Sequence, residues 1–151
     1  MKKYLFKLIL LLVMLGGNMF IPAISWSENI AVIVNTENSS NISRDDIRFI
    51  YKGQLKAYAN GIEVVPLDQK DGSKVRKVFL NKAVGKTNGQ YKRFWTRKIF
   101  AGKGVSPKVI KGGDNKVKER VVGNRSAIGY ISESSVDKSV RVVSIFKTKG
   151  V

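Results

Sequence analysis

Asp68-Gln69-Lys70-Asp71-Gly72-Ser73-Lys74-Val75-Arg76-Lys77-Val78-Phe79 is the stretch whose reading decides the fold. An apolar run, Ile62 to Leu67, leads into it, and Val75, Val78, Phe79 and Ala83 follow at helical spacing. The pattern predicts a strand, a Gly-Ser turn and a helix reaching about Val84. A helix start offers backbone N–H groups without intrahelical partners, and the helix dipole adds positive potential at the same point. An oxyanion is the natural ligand there. The competing reading is an ordinary N-cap, with Ser73 accepting a bond from the Val75 or Arg76 amide and doing nothing else. Lys70, Lys74, Arg76 and Lys77 add positive charge: Arg76 offers a planar fork to a tetrahedral anion and Lys74 a point charge.

Moving outward to the N-terminus, Lys2, Lys3 and Lys7 precede a nearly continuous apolar run from Leu8 to Met19. Small residues at Ala23, Ser25 and Ser27 then suit a cleavage site, so residues 1–27 read as a secretory signal peptide and 28–151 as a single domain. The mature chain then starts at Trp26 or Glu28. The alternative is an uncleaved anchor, because the apolar run continued through Ile21 to Ile24 approaches spanning length. Removing the three lysines leaves 25 basic and 11 acidic residues, a net charge of +14. That balance favours anionic partners: phosphate-like ions, or acidic lipid and envelope polymers. Export argues against nucleic acid.

Composition removes several chemistries. Without cysteine there is no disulfide, thiolate or lipidated cysteine, and without histidine the usual general base and commonest metal ligand are missing. No cofactor or metal is implied. Gly85-Lys86-Thr87 imitates the end of a P-loop, but Leu80 stands where the first glycine belongs. Ser135-Val136-Asp137-Lys138 has Ser-x-x-Lys spacing without its companion motifs. Asp68 and Asp71 could form a carboxylate pair, but read more simply as turn residues. The chain is therefore read as a binding protein and not an enzyme.

Ile30 to Val34 is a continuous β-branched run, the pattern of a strand buried on both faces and the first candidate for a parallel sheet. Ser43-Arg44-Asp45-Asp46 fits a capping box for a short helix carrying Ile47, Ile50 and Tyr51 and ended by Gly53. After a break at Gly85 to Asn88, Gln90 to Phe100 places Tyr91, Phe94, Trp95 and Ile99 on one side of a helix. Gly102 to Gly113 reads as loop. Asp114 is expected to N-cap a helix bearing Val117, Val121 and Val122 and closed by Gly123. Ala127 to Ile131 and Val140 to Phe146 read as strands. Strands alternating with helices predict an α/β three-layer sandwich with a mostly parallel sheet.

The order Ser43, Ile47, Ile50-Tyr51, Gly53, then Gly61-Ile62 with Val64-Val65, then Gly72-Ser73-x-x-Arg76-x-x-Phe79, and finally Ala127-Ile128-Gly129-Tyr130 resembles one lobe of the phosphate-transport periplasmic binding proteins. The resemblance spans residues 30 to 145. It implies the type II binding-protein fold and phosphate held by the hydroxyls and amides of a Gly-Ser-Gly-Thr-Arg turn. Gly72, Ser73 and Arg76 match that turn, whereas lysine and valine stand at 74 and 75. The family's upstream arginine has its nearest counterpart in Asp68, and Arg125-Ser126 replaces the usual Pro-Gly. These changes remove a hydroxyl and a cation from the cradle.

The sequence thus predicts an exported, periplasmic or secreted, non-catalytic protein binding phosphate or a related oxyanion at Gly72, Ser73, Lys74 and Arg76. A single lobe leaves such an anion half exposed, so tight capture needs a second surface, from a homodimer mate or another protein. A membrane transporter or a sensor is the partner this implies. The rival reading keeps the fold and drops the ligand, leaving a basic module that docks a membrane complex or an acidic envelope polymer.

Overall fold

Two strands, β1 (Ile30–Asn35) and β4 (Ala127–Ser132), are buried at every position. They lie side by side in a five-stranded sheet that also contains β2 (Val65–Gln69), β3 (Lys108–Ile110) and β5 (Val140–Phe146), in the order β3-β2-β4-β1-β5. The computed structural model describes residues 28–148, so the expected signal peptide lies outside them. β2 pairs parallel with β3 and β4, while β1 pairs antiparallel with β4 and β5. Four strands therefore point one way and β1 runs against them, a mostly parallel sheet with one reversed member.

That reversal corrects one expectation. β1 has the unbroken apolar pattern of a parallel strand, but its pairing is antiparallel on both sides. Its double burial comes from helical layers above and below. Alternate residues divide between two clusters: Ile30, Val32 and Val34 face one layer, and Ala31 and Ile33 face the other.

The first layer holds α1 (Arg44–Tyr51), α2 (Lys74–Phe79) with its π-helical continuation Leu80–Val84, and α3 (Asn88–Phe100). α4 (Gly113–Val122) covers the opposite face through Val117 and Val121. The result is an α/β three-layer sandwich. Both clusters are built from residues between Ile30 and Phe146.

Local chemistry sets the helix starts. Ser43 and Asp46 form the expected reciprocal cap, the Ser43 amide donating to Asp46 Oδ2 at 2.8 Å and the Asp46 amide to Ser43 Oγ at 3.1 Å. α3 begins two residues before the expected Gln90, because Thr87 and Gln90 make a second capping box. β2 begins at Val65 and not at Ile62, since residues 57–63 turn back through an Ala57–Glu63 bridge. β3 lies inside the segment read as loop.

Asp114 does not cap α4: Gly112 holds that position, with φ 109°. The Asp114 carboxylate instead accepts from the Ser132 amide at 3.0 Å, Ser135 Oγ at 2.8 Å and Gln69 Nε2 at 2.8 Å. It joins α4 to the C-terminal ends of β2 and β4.

Gly129 lets α4 approach β4 closely, since a Cβ there would lie 2.6 Å from Val117 Cγ1. Gly129→Ala is expected to cost about 1–3 kcal/mol through overpacking, measured as a lowered urea midpoint. Unchanged stability would show that Val117 relaxes freely.

Candidate functional site

The turn between β2 and α2 rests on a buried charge. Asp68, 3% exposed, ends the apolar part of β2 and receives Arg76 Nε at 3.1 Å on both oxygens and Nη2 at 3.0 Å. The Gln69 amide donates to the same carboxylate at 2.9 Å, and the Tyr130 hydroxyl also donates to it. A buried carboxylate needs this many partners, because leaving it unpaired in the core would be costly. Asp68 is therefore not a turn residue, as the sequence suggested. It is the floor of the turn.

Aromatic packing holds that floor in place. The Tyr130 ring stacks on Phe79 at 3.8 Å, and Phe79 meets Tyr51 edge-on at 4.6 Å. Burial, and next the Asp68 charge, push the Tyr130 hydroxyl well above its ordinary pKa, so it remains a neutral donor. Tyr51 is raised in the same direction, again chiefly by burial. Its hydroxyl donates to the Leu67 carbonyl at 2.8 Å, pinning β2 just before Asp68.

Arg76 is accordingly engaged inward. Its Nη1 contacts Asn88 Oδ1 and lies 3.5 Å from Asp71 Oδ1. Burial disfavours the guanidinium charge, but Asp68 outweighs burial and the pKa is raised. The planar fork expected to grip a tetrahedral anion is turned toward Asp68, because the buried carboxylate claims it. Arg76 keeps an edge on the surface and ties the start of α2 to that of α3.

Ser73 caps α2, with Oγ accepting from the Arg76 amide at 3.3 Å. The hydroxyl donates to Gln69 Oε1 at 3.1 Å. Gln69 is fixed in turn, its Nε2 donating to Asp114 at 2.8 Å and to the Tyr130 carbonyl at 3.0 Å. Ser73 has only one hydrogen to give, and it is given to Gln69. Gly72, at φ 84°, makes the left-handed turn before the cap, and the Ser73 amide closes it by donating to the Lys70 carbonyl at 3.2 Å.

All four residues singled out in the sequence, Gly72, Ser73, Lys74 and Arg76, line one cleft of about 830 Å³. Lys77 and Lys82 from the same helical segment, Thr87 and Asn88 from the start of α3, and Glu28 from the other end of the chain share its wall. Sequence reading missed Lys82, Thr87, Asn88 and Glu28 as site residues. The Thr87-x-x-Gln90 spacing could have placed the start of α3, and with it Thr87 and Asn88. Nothing local announces Glu28. Among the described residues no group of acidic side chains is arranged to hold a metal ion.

No family model matches the sequence, and no curated protein sequence matches it. Solved structures do. The chain is similar to an ABC-type phosphate transport receptor from Vibrio cholerae, with 25% identity and a TM-score of 0.60, covering 77% of this chain and 45% of that one. It is also similar to a phosphate ABC transporter substrate-binding protein from Clostridium perfringens solved with bound phosphate, with 28% identity and a TM-score of 0.61, covering 77% and 44%. PstS from Borrelia burgdorferi, at 16% identity and a TM-score of 0.56 over 78% and 48%, shares the fold. The chain spans less than half the length of each of these structures. The resemblance read from the order of its motifs holds in three dimensions, as that of one lobe of a phosphate-transport substrate-binding protein.

Arg76→Met would leave Asp68 buried without its counter-charge and is expected to cost about 3–5 kcal/mol of stability. Combining it with Asp68→Asn, which removes the orphaned charge, should restore part of that loss. Urea unfolding of both variants checks the point, and a double variant no better than Arg76→Met would show that the pair is not coupled.

Proposed function

We propose that this chain binds phosphate or a related oxyanion in the cleft at the start of α2, and that it captures the ion for transport or sensing without catalysing a reaction. The observation that carries the reading is the union of Gly72, Ser73, Lys74 and Arg76 on one cleft with Lys77 and Lys82 beside them. The names of the similar solved structures, a phosphate transport receptor and a substrate-binding protein with bound phosphate, support the choice of ion.

The roles follow from the hydrogen bonds. In the first turn of α2 the Arg76 amide is taken by Ser73, and the Lys77 amide makes the first intrahelical bond to the Ser73 carbonyl. The Lys74 and Val75 amides precede that ladder and are the donors a helix start offers an anion. Lys74, Lys77 and Lys82 supply charge. Ser73 holds the turn through Gln69, and Arg76 holds it through Asp68. Among the described residues Glu28 is the one carboxylate on the cleft wall, bonded to the Ser132 hydroxyl, and it opposes the anion. Residues 1–27 would act as the export signal and residues 28–151 as a single exported domain, periplasmic or secreted. Among the described residues no helix is long and apolar enough to cross a membrane.

Isothermal titration of residues 28–151 with phosphate, sulfate and a neutral solute, at low salt, tests the reading. Saturable heat with phosphate is expected, weakened roughly fivefold by Lys74→Ala, which corresponds to the upper end for an exposed charge. Glu28→Gln should strengthen binding by removing the opposing charge. No saturable anion heat from the parent protein would overturn the proposal.

A further inference from the structure

One basic segment runs from the cleft, which Lys74, Arg76, Lys77 and Lys82 line, to a cluster of exposed apolar side chains outside it. Between Gly72 and Gly113 the sequence has twelve lysines and arginines and no aspartate or glutamate. Among the described residues, no ion pair uses a cation from Lys77 to Lys111. Near this segment the Lys52 pKa is lowered, by burial first and then by repulsion from Lys86 and Arg48.

The apolar surface collects at one end of that segment. Of the six large hydrophobic side chains exposed among the described residues, four lie between residues 99 and 109: Ile99, Phe100, Val105 and Val109. Phe100 is 89% and Val105 86% exposed, so each projects outward with little packing beneath it. Arg97, Lys103 and Lys108, all exposed, alternate with them along the chain. Lys98 is occupied differently: its ammonium donates to the Lys52 and Gly53 carbonyls and lies 5.2 Å from the centre of the Trp95 ring. It therefore anchors the end of α3 and leaves the outer cations to face solvent.

From these observations we infer that the end of α3 and the loop into β3 form a docking surface for an anionic lipid bilayer. Phe100, with Ile99 and Val105, enters the boundary between headgroups and acyl chains while Arg97, Lys103 and Lys108 meet lipid phosphates. Isolated apolar side chains ringed by long cationic ones suit this interface, because lysine and arginine stems reach from the apolar layer to the headgroups. A protein interface fits less well, since its buried centre is poor in lysine and built around a packed aromatic patch. The cleft lies at the other end of α3, lined by Thr87, Asn88 and Gly89. Over the 13 residues of α3 the separation along the axis is roughly 18 Å. Docking at Phe100 thus leaves the cleft clear of the membrane.

Sedimentation of residues 28–151 with vesicles of equal parts phosphatidylglycerol and phosphatidylcholine, against pure phosphatidylcholine, tests this inference. The parent protein should sediment with the anionic vesicles at low salt and be released at high salt. Phe100→Ser should reduce partitioning about tenfold, and Lys103→Glu should reduce it severalfold. Because Phe100 lies outside the cleft, Phe100→Ser should leave any phosphate titration unchanged. The inference is overturned if the parent protein stays in the supernatant with anionic vesicles. It is also overturned if Phe100→Ser sediments like the parent, or if both vesicle types bind equally. A dimer in analytical ultracentrifugation that Phe100→Ser dissolves would identify a second copy as the occupant and would equally overturn it.

Discussion

The buried pair of Asp68 and Arg76 is the constraint on which the rest of the candidate site depends. A carboxylate buried at the end of β2, beside stacked aromatic rings, is costly unless a cation and several donors surround it. Meeting that need draws Arg76 inward, and Arg76 draws the start of α2 against Asn88 at the start of α3. The turn at Gly72 and Ser73 is then held from two sides, by Arg76 below and by Gln69 beside it. The Ser73 amide closes the turn on the Lys70 carbonyl at 3.2 Å, and the Ser73 and Arg76 side chains are engaged with Gln69 and Asp68.

The same constraint redistributes the roles that sequence reading assigned. The groups that sequence reading expected to bind an anion, the Ser73 hydroxyl and the Arg76 fork, are engaged as supports by Gln69 and Asp68. Under the proposed reading, the groups left to meet an anion are the backbone of the first turn and the lysines at 74, 77 and 82. Under that reading the N-cap and anion-site roles of Ser73 are compatible: capping orders the turn whose first helical amides an anion would meet.

Much of the fold was legible locally. The Ser43–Asp46 capping box, the Gly72-Ser73 helix start and the buried Ala127 to Ile131 strand each follow from a few adjacent residues. What was not legible depends on partners far along the chain. Asp68 looks like a turn residue until Arg76 and Tyr130 are seen to close over it, and Asp114 looks like a cap until Gln69, Ser132 and Ser135 reach it. β3 escaped because it has only three residues, two of them exposed. The direction of β1 escaped because hydropathy reports burial and does not report the pairing sense. At the site, Glu28 comes from the opposite end of the described chain, a juxtaposition that only the sheet creates.

The central claim is that an oxyanion is held by the first turn of α2, and titrating phosphate into isotopically labelled residues 28–151 while following backbone amide resonances by NMR tests it most directly. The account predicts saturable shifts at Lys74 and Val75, larger than those at lysines outside the cleft such as Lys103 and Lys111. Shifts spread evenly over the basic surface without saturation, with Lys74 and Val75 unmoved, would contradict it.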